Sequence, residues 1–164
     1  LYSVPGRTGV EIAPATAARL AEAHMNIVGI KEAGGKAERI TELRLALGAS
    51  FVIHSGDDGL TLPFLALGAD GVTSVASNLL PAEIVALCRA WSAGDPREAR
   101  RIHDVLFDLV GHLFIESNPV PVKTALARAG LIGPELRAPL APLRPESRKA
   151  LEASLQSFER RANI

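Results

Sequence analysis

Four short apolar runs, at residues 1–4, 27–30, 51–53 and 72–75, punctuate the first half of this chain, with helically spaced apolar residues between them. Such alternation predicts repeated strand–helix units on a parallel sheet, because a parallel neighbour is reached through a crossover that is usually a helix. Pro14 suits the first turn of a helix that carries Ala17, Leu20 and Ala21 on one face and ends near His24. A second is expected over 37–47, with Ile40, Leu43 and Leu47 in phase and Gly48 placed to stop it. A third, short one is expected over 60–67, before Gly68.

After Ser77 the strand signals cease. Helices are predicted over 81–93, 96–114, 121–129 and 145–162, each opening on a proline, with 138–143 as an extended connection before the last. The expected division is therefore a strand–helix part, 1–93, and a helical part, 94–164.

Four parallel strands fit either an open doubly wound sheet or half of an eight-stranded barrel, and periodicity does not choose between them. Gly6 and Gly9 do not have the spacing of a dinucleotide fingerprint, which argues against nucleotide binding. The 18 basic and 18 acidic residues form no long run, so no electrostatic footprint for nucleic acid or an anionic membrane is present. No apolar stretch approaches the roughly 18 to 20 residues of a membrane span. The single Cys88, in an apolar helical stretch, suits a reducing compartment and reads as a small core residue; a cytoplasmic location is expected. The chain opens without methionine on what reads as a strand in progress, so an excerpt of a longer protein is expected.

Chemistry concentrates where strands end. In Gly29-Ile30-Lys31-Glu32-Ala33-Gly34-Gly35 a lysine terminates an apolar strand. If Lys31 points to one face, Gly29 shares it and leaves room for a ligand, while Val28 and Ile30 face the helices. A lysine of ordinary pKa about 10.4 becomes nucleophilic when burial penalises its charge. The competing reading is a lysine that snorkels from the strand end or pairs with Glu32. In Tyr2-Ser3-Val4-Pro5-Gly6-Arg7-Thr8-Gly9, Tyr2 lies on a strand and Arg7 on the loop beyond it. A phenol can relay protons and a guanidinium can grip a carboxylate, although on these residues alone an interior tyrosine with its hydroxyl satisfied and a solvated loop arginine are the preferred readings. Ser55-Gly56-Asp57-Asp58-Gly59 reads as a turn and helix cap. Paired aspartates with no third ligand at suitable spacing make a metal site a poor expectation. Lys123, in Asn118-Pro119-Val120-Pro121-Val122-Lys123, reads as structural, and His54, His103 and His112 have no assignable partners.

Together with Gly71-Val72-Thr73-Ser74-Val75, these segments resemble the dihydrodipicolinate synthase family in order and spacing over essentially the whole chain. The resemblance implies strands five to eight of a (β/α)8 TIM barrel followed by a helical C-terminal region. It also implies a class I, Schiff-base lyase of diaminopimelate and lysine biosynthesis that condenses pyruvate with L-aspartate-4-semialdehyde. By the same matching, Lys31 forms the pyruvate imine without any separate cofactor, and Tyr2 relays protons. Arg7 binds the semialdehyde carboxylate, Gly56 lines the substrate site, and the backbone of Thr73, at a position usually aliphatic in the family, borders the pyruvate. A homo-oligomer and a complementary N-terminal half-barrel are the implied partners. The alternatives are another pyruvate aldolase, such as N-acetylneuraminate lyase, or a non-catalytic half-barrel that serves as an assembly partner.

Overall fold

The computed structural model describes residues 1–162, and its packing divides the chain into two compact units, Leu1–Ser74 and the residues from Val75 onward. In the first, β1 (Tyr2–Ser3), β2 (Gly29–Glu32), β3 (Val52–Ser55) and β4 (Gly71–Val72) form one parallel sheet in the order β1-β2-β3-β4. Helices α1 (Pro5–Thr8) and α2 (Pro14–Ala23) link β1 to β2, and α3 (Glu38–Leu47) links β2 to β3. A 3-10 turn, Asp58–Leu60, runs into α4 (Thr61–Ala66) before β4. A doubly wound sheet reverses its strand order at a switch point, whereas a barrel adds strands in sequence. The monotonic order is thus that of a partial TIM barrel, an α/β fold.

The register pairs Tyr2 with Lys31, Lys31 with His54 and His54 with Gly71, so these four share one row and one face. Ile30 and Ile53 point the other way and meet the helices in a core with Ala17, Ile40, Leu43, Phe51, Phe64 and Ala69. Val28 departs from expectation: it precedes β2 and is 63% exposed, although its carbonyl already accepts from the Val52 amide at 3.0 Å. Glycine 29 also serves a different end from the one expected. A Cβ there would lie 2.9 Å from the Val52 carbonyl oxygen, so the missing side chain admits the next strand and not a ligand.

Two arginines lock this unit. Arg44, near the end of α3, donates to the carbonyls of Gly48, Phe51 and Gly68 and pairs with Asp70 at 2.9 Å. Asp70 in turn accepts from the Ile53 amide at 2.8 Å. Gly48 ends α3 with φ +76°, a backbone state that a side chain would strain. At the opposite end of the strands, Arg39 is 4% exposed and donates to Glu32 at 3.0 Å and to the Ile12 carbonyl at 2.7 Å. The fully buried Glu32 carboxylate also accepts from the Gly34 amide at 2.6 Å.

The second unit is helical: α5 (Pro81–Ser92), α6 (Pro96–His112), α7 (Val120–Arg128) and α8 (Pro145–Ala162). Helix α6 buries Ala99, Ile102, Leu106, Leu109 and Val110 along one stripe, and it packs on α5 and α8. Its start is set by Pro96 in the first turn and by the Asp95 carboxylate, which accepts from the Glu98 amide at 3.0 Å. The Lys123 ammonium donates to the Glu135 carbonyl, a tie between α7 and the following loop. The sequence reading sets a boundary after residue 93; packing groups α5 with α6, and so places its own after Ser74. Among the described residues no helix is long and apolar enough to cross a membrane.

Removing one partner of a buried ion pair strands the other charge in a low-dielectric site, typically at a cost of about 3–5 kcal/mol. Urea unfolding of an Arg39→Met variant is therefore expected to show a loss of that order, and the Glu32→Gln/Arg39→Met double variant a smaller one. Truncation of Phe64, which is 0% exposed in the core, to alanine is expected to cost about 3–5 kcal/mol in the same measurement.

Candidate active site

At the C-terminal end of each strand, a side chain on the open face is followed by a polar one on the helix side. The pairs are Tyr2-Ser3, Lys31-Glu32, His54-Ser55 and, one step beyond β4, Thr73-Ser74. The second member ties down a loop at this end of the sheet, for the first three pairs the one that follows and for Ser74 the turn after β3. The Ser3 hydroxyl accepts from the Ile12 amide, Glu32 holds Gly34 and Arg39, and Ser55 donates to the Asp57 carbonyl at 2.7 Å. Ser74 donates to the carboxylate of the buried Asp58. The strand ends are thus rigid, and their first members are presented together on one face.

Lys31 lies in the middle of that face, half-buried, with its Nζ 4.3 Å from the centroid of the Tyr2 ring. This geometry removes one of the structural readings of the lysine, a pair with Glu32. Glu32 points to the other side of the sheet and is engaged by Arg39, so it is not the partner of Lys31. An ammonium over a phenol ring gains a cation–π attraction, and the hydroxyl of the same ring is a proton donor and acceptor at hand. Tyr2 itself is 46% exposed.

Gly56 completes the seat of the lysine. A Cβ at this position would stand 3.0 Å from both Cγ and Cε of Lys31 and 2.7 Å from Cβ of Ala33. Any side chain would therefore push the lysine stem from its place. Gly56 is held there by its amide, which donates to the Glu32 carbonyl at 2.7 Å. Thr73 occupies the corresponding level on the next strand, its amide donating to the Ser55 carbonyl at 2.8 Å.

Arg7 is exposed, beyond the C-terminal end of β1. The expected loop is in fact a single helical turn, α1, closed by the Gly9 amide on the Pro5 carbonyl, because Pro5 presets the first residue and Gly9 adopts φ +72°. Asp57 is the cap that the sequence suggests, accepting from the Gly59 amide at 2.9 Å. No three His, Cys, Asp or Glu side chains converge as metal ligands among the described residues. His103 and His112 both lie on α6, His103 against Phe107 and His112 on the Asp108 carbonyl.

One residue of this face escapes the sequence reading. His54 is the strand neighbour of Lys31, and its Nδ1 is 3.0 Å from the Thr73 hydroxyl. The signal was available: His54 has the same parity and the same place on β3 that Lys31 has on β2. A histidine without a partner near it in sequence gave no reason to use that parity.

A sequence model of the Dihydrodipicolinate synthetase family matches residues 1–158. A 4-hydroxy-tetrahydrodipicolinate synthase of Pelobacter propionicus is 51% identical over 158 residues, which are 96% of this chain and 54% of that protein. Among solved structures, the 4-hydroxy-tetrahydrodipicolinate synthase of Methylacidiphilum fumariolicum superposes with a TM-score of 0.96 at 54% identity, covering 98% of this chain and 53% of that one. The chloride-inhibited dihydrodipicolinate synthase of Acinetobacter baumannii, solved with pyruvate, gives a TM-score of 0.92 at 42% identity, covering 97% and 54%. The chain spans about half the length of the relatives it matches, as the 54% coverage shows. Over that span, with its sequential parallel strands and its lysine at the end of β2, the chain belongs to the dihydrodipicolinate synthetase family.

Proposed function

We propose that the protein is a class I aldolase-type lyase that condenses pyruvate with L-aspartate-4-semialdehyde to 4-hydroxy-tetrahydrodipicolinate. The observation that carries this reading is the placement of Lys31 Nζ over the Tyr2 ring on the open face, at the strand ends where barrels of this kind hold their active sites. The solved relative that contains pyruvate supports the choice of first substrate. The names of the relatives support the synthase over a sugar-acid aldolase.

In this mechanism the Lys31 amine attacks the ketone carbon of pyruvate, and loss of water leaves an imine. Protonation of that nitrogen makes the methyl protons acidic, and loss of one gives the enamine. The enamine carbon attacks the semialdehyde carbonyl. The amine of the second substrate then attacks the imine carbon, closes the ring and releases Lys31. Tyr2 relays protons to and from the nitrogen and oxygen atoms that change protonation. Arg7 holds the semialdehyde carboxylate in a two-pronged grip. Gly56 gives the lysine its seat beside the substrate, and the Thr73 backbone borders the pyruvate. The imine is the electron sink, so the reaction needs no separate cofactor.

The sheet ends in two edges, β1 and β4, and its open face exposes Tyr2 at 46% and Val52 at 41%. Barrels of this type close with eight strands. We therefore propose that the active protein completes the barrel with a complementary N-terminal half and works as a cytoplasmic homo-oligomer. Residues 1–93 would serve as half-barrel and 94–164 as helical region. An uncompleted half-barrel would act only as an assembly partner, and the same chemistry tells the two apart.

Borohydride reduction in the presence of pyruvate, followed by intact-mass measurement, is expected to give a single covalent adduct that Lys31→Ala abolishes. An adduct that persists in that variant, or none in the assembled protein, would sink the Schiff-base assignment. Gly56→Ala is expected to lower the adduct yield at least about tenfold, since a methyl 3.0 Å from the lysine stem must displace it. The thermal midpoint should fall by only a few degrees, and a wild-type adduct yield would contradict the proposed seat.

A further inference from the structure

The interior face of a (β/α)8 barrel is filled mostly by branched apolar side chains, yet β3 and β4 place a histidine and a threonine there. They are not independent. His54 Nδ1 and Thr73 Oγ1 are 3.0 Å apart, a hydrogen bond in which either group donates, according to the imidazole tautomer. The bond runs obliquely, from the row of Lys31 on β3 to the next row up on β4, the level of Gly56. The ring lies over Gly71, where a Cβ would stand 3.4 Å from Nε2 and 3.6 Å from Cδ2, at ordinary van der Waals contact.

Regular β4 ends at Val72, and the Thr73 amide just beyond it bonds to the Ser55 carbonyl. The His54 bond adds a side-chain tether to that backbone rung, so position 73 is held to β3 from the open face as well. We infer that His54 is a positioning residue of the proposed lyase, which pins Thr73 and so fixes the stretch of β4 backbone that borders the keto acid as it is captured by Lys31. This inference rests on the Schiff-base reading of Lys31. His54 acts through Thr73, and no proton transfer to substrate is assigned to it.

The test uses the intact protein that carries this sequence and separates the two half-reactions. For a covalent mechanism with ordered capture, kcat/KM for pyruvate reports the steps up to the imine, and kcat/KM for the aldehyde reports those after it. His54→Leu and Thr73→Val each remove the bond at nearly constant volume. Each is expected to lower kcat/KM for pyruvate about three- to tenfold, the effect of one hydrogen bond, while kcat/KM for the aldehyde stays within about twofold. The double variant should be no worse than either single one, because both remove the same contact. His54→Asn, which can place an amide near the position of Nδ1, should restore most of the loss.

Equal loss in both half-reactions would show only a smaller folded fraction and overturn the inference. So would additive effects in the double variant, or no effect of His54→Leu. A borohydride-trapped adduct on Lys31 in wild type alongside any of these leaves the Schiff-base reading standing. Absence of that adduct in wild type overturns both.

Discussion

The buried carboxylate of Glu32 is the constraint on which the open face of the sheet depends. Side chains alternate along a strand, so the direction of Lys31 is settled once its neighbour is settled. Glu32 is fully buried on the helix side, where Arg39 and the Gly34 amide satisfy it. A one-residue slip of β2 would put that charge on the open face and leave Arg39 buried without it. The energy of such a slip is several kcal/mol, so the ion pair acts as a register lock. The same guanidinium also binds the Ile12 carbonyl, and thereby holds the approach to α2 against the start of α3.

The other strands repeat this arrangement with neutral groups. Ser3 and Ser55 each turn a hydroxyl toward the loop that follows, and Ser74 turns its own toward Asp58 in the turn after β3, which converts flexible connections into braced ones. Barrels concentrate function in these loops because the strands beneath are rigid. Here the strand end is written into dipeptides, one residue on the open face and the next bracing it from the helix side. Arg44 and Asp70 do corresponding work at the opposite end of the strands, where no chemistry is proposed and the bonds are mostly to main-chain carbonyls.

On the open face, shape and charge divide the work. Gly56 contributes by absence, since any Cβ would meet the lysine stem. Tyr2 contributes a ring face that tolerates a cation and a hydroxyl that can pass a proton. His54 Nδ1 and the Thr73 hydroxyl pair with each other, so two polar groups on a surface that a closed barrel would bury are joined by a hydrogen bond.

Much of this was legible in the order of residues. Apolar periodicity and the prolines and glycines at element ends located α2 to α8 to within a few residues, because caps and breakers are local chemistry. The lysine at a strand end, the glycine after β3 and the family resemblance followed from the same local reading. Three things did not. The partner of Glu32 lies seven residues away on α3, the partner of His54 nineteen residues away just beyond β4, and the occupant of the space above Gly29 is the carbonyl of Val52. Each is a contact between elements, set by sheet register and helix packing, and no local propensity encodes which of two opposite charges a strand residue will meet. The sequence by itself determined which residues could react and where strands and helices would start. Only the tertiary structure decided that Lys31 faces Tyr2 and not Glu32, because that choice belongs to the buried ion pair behind the sheet.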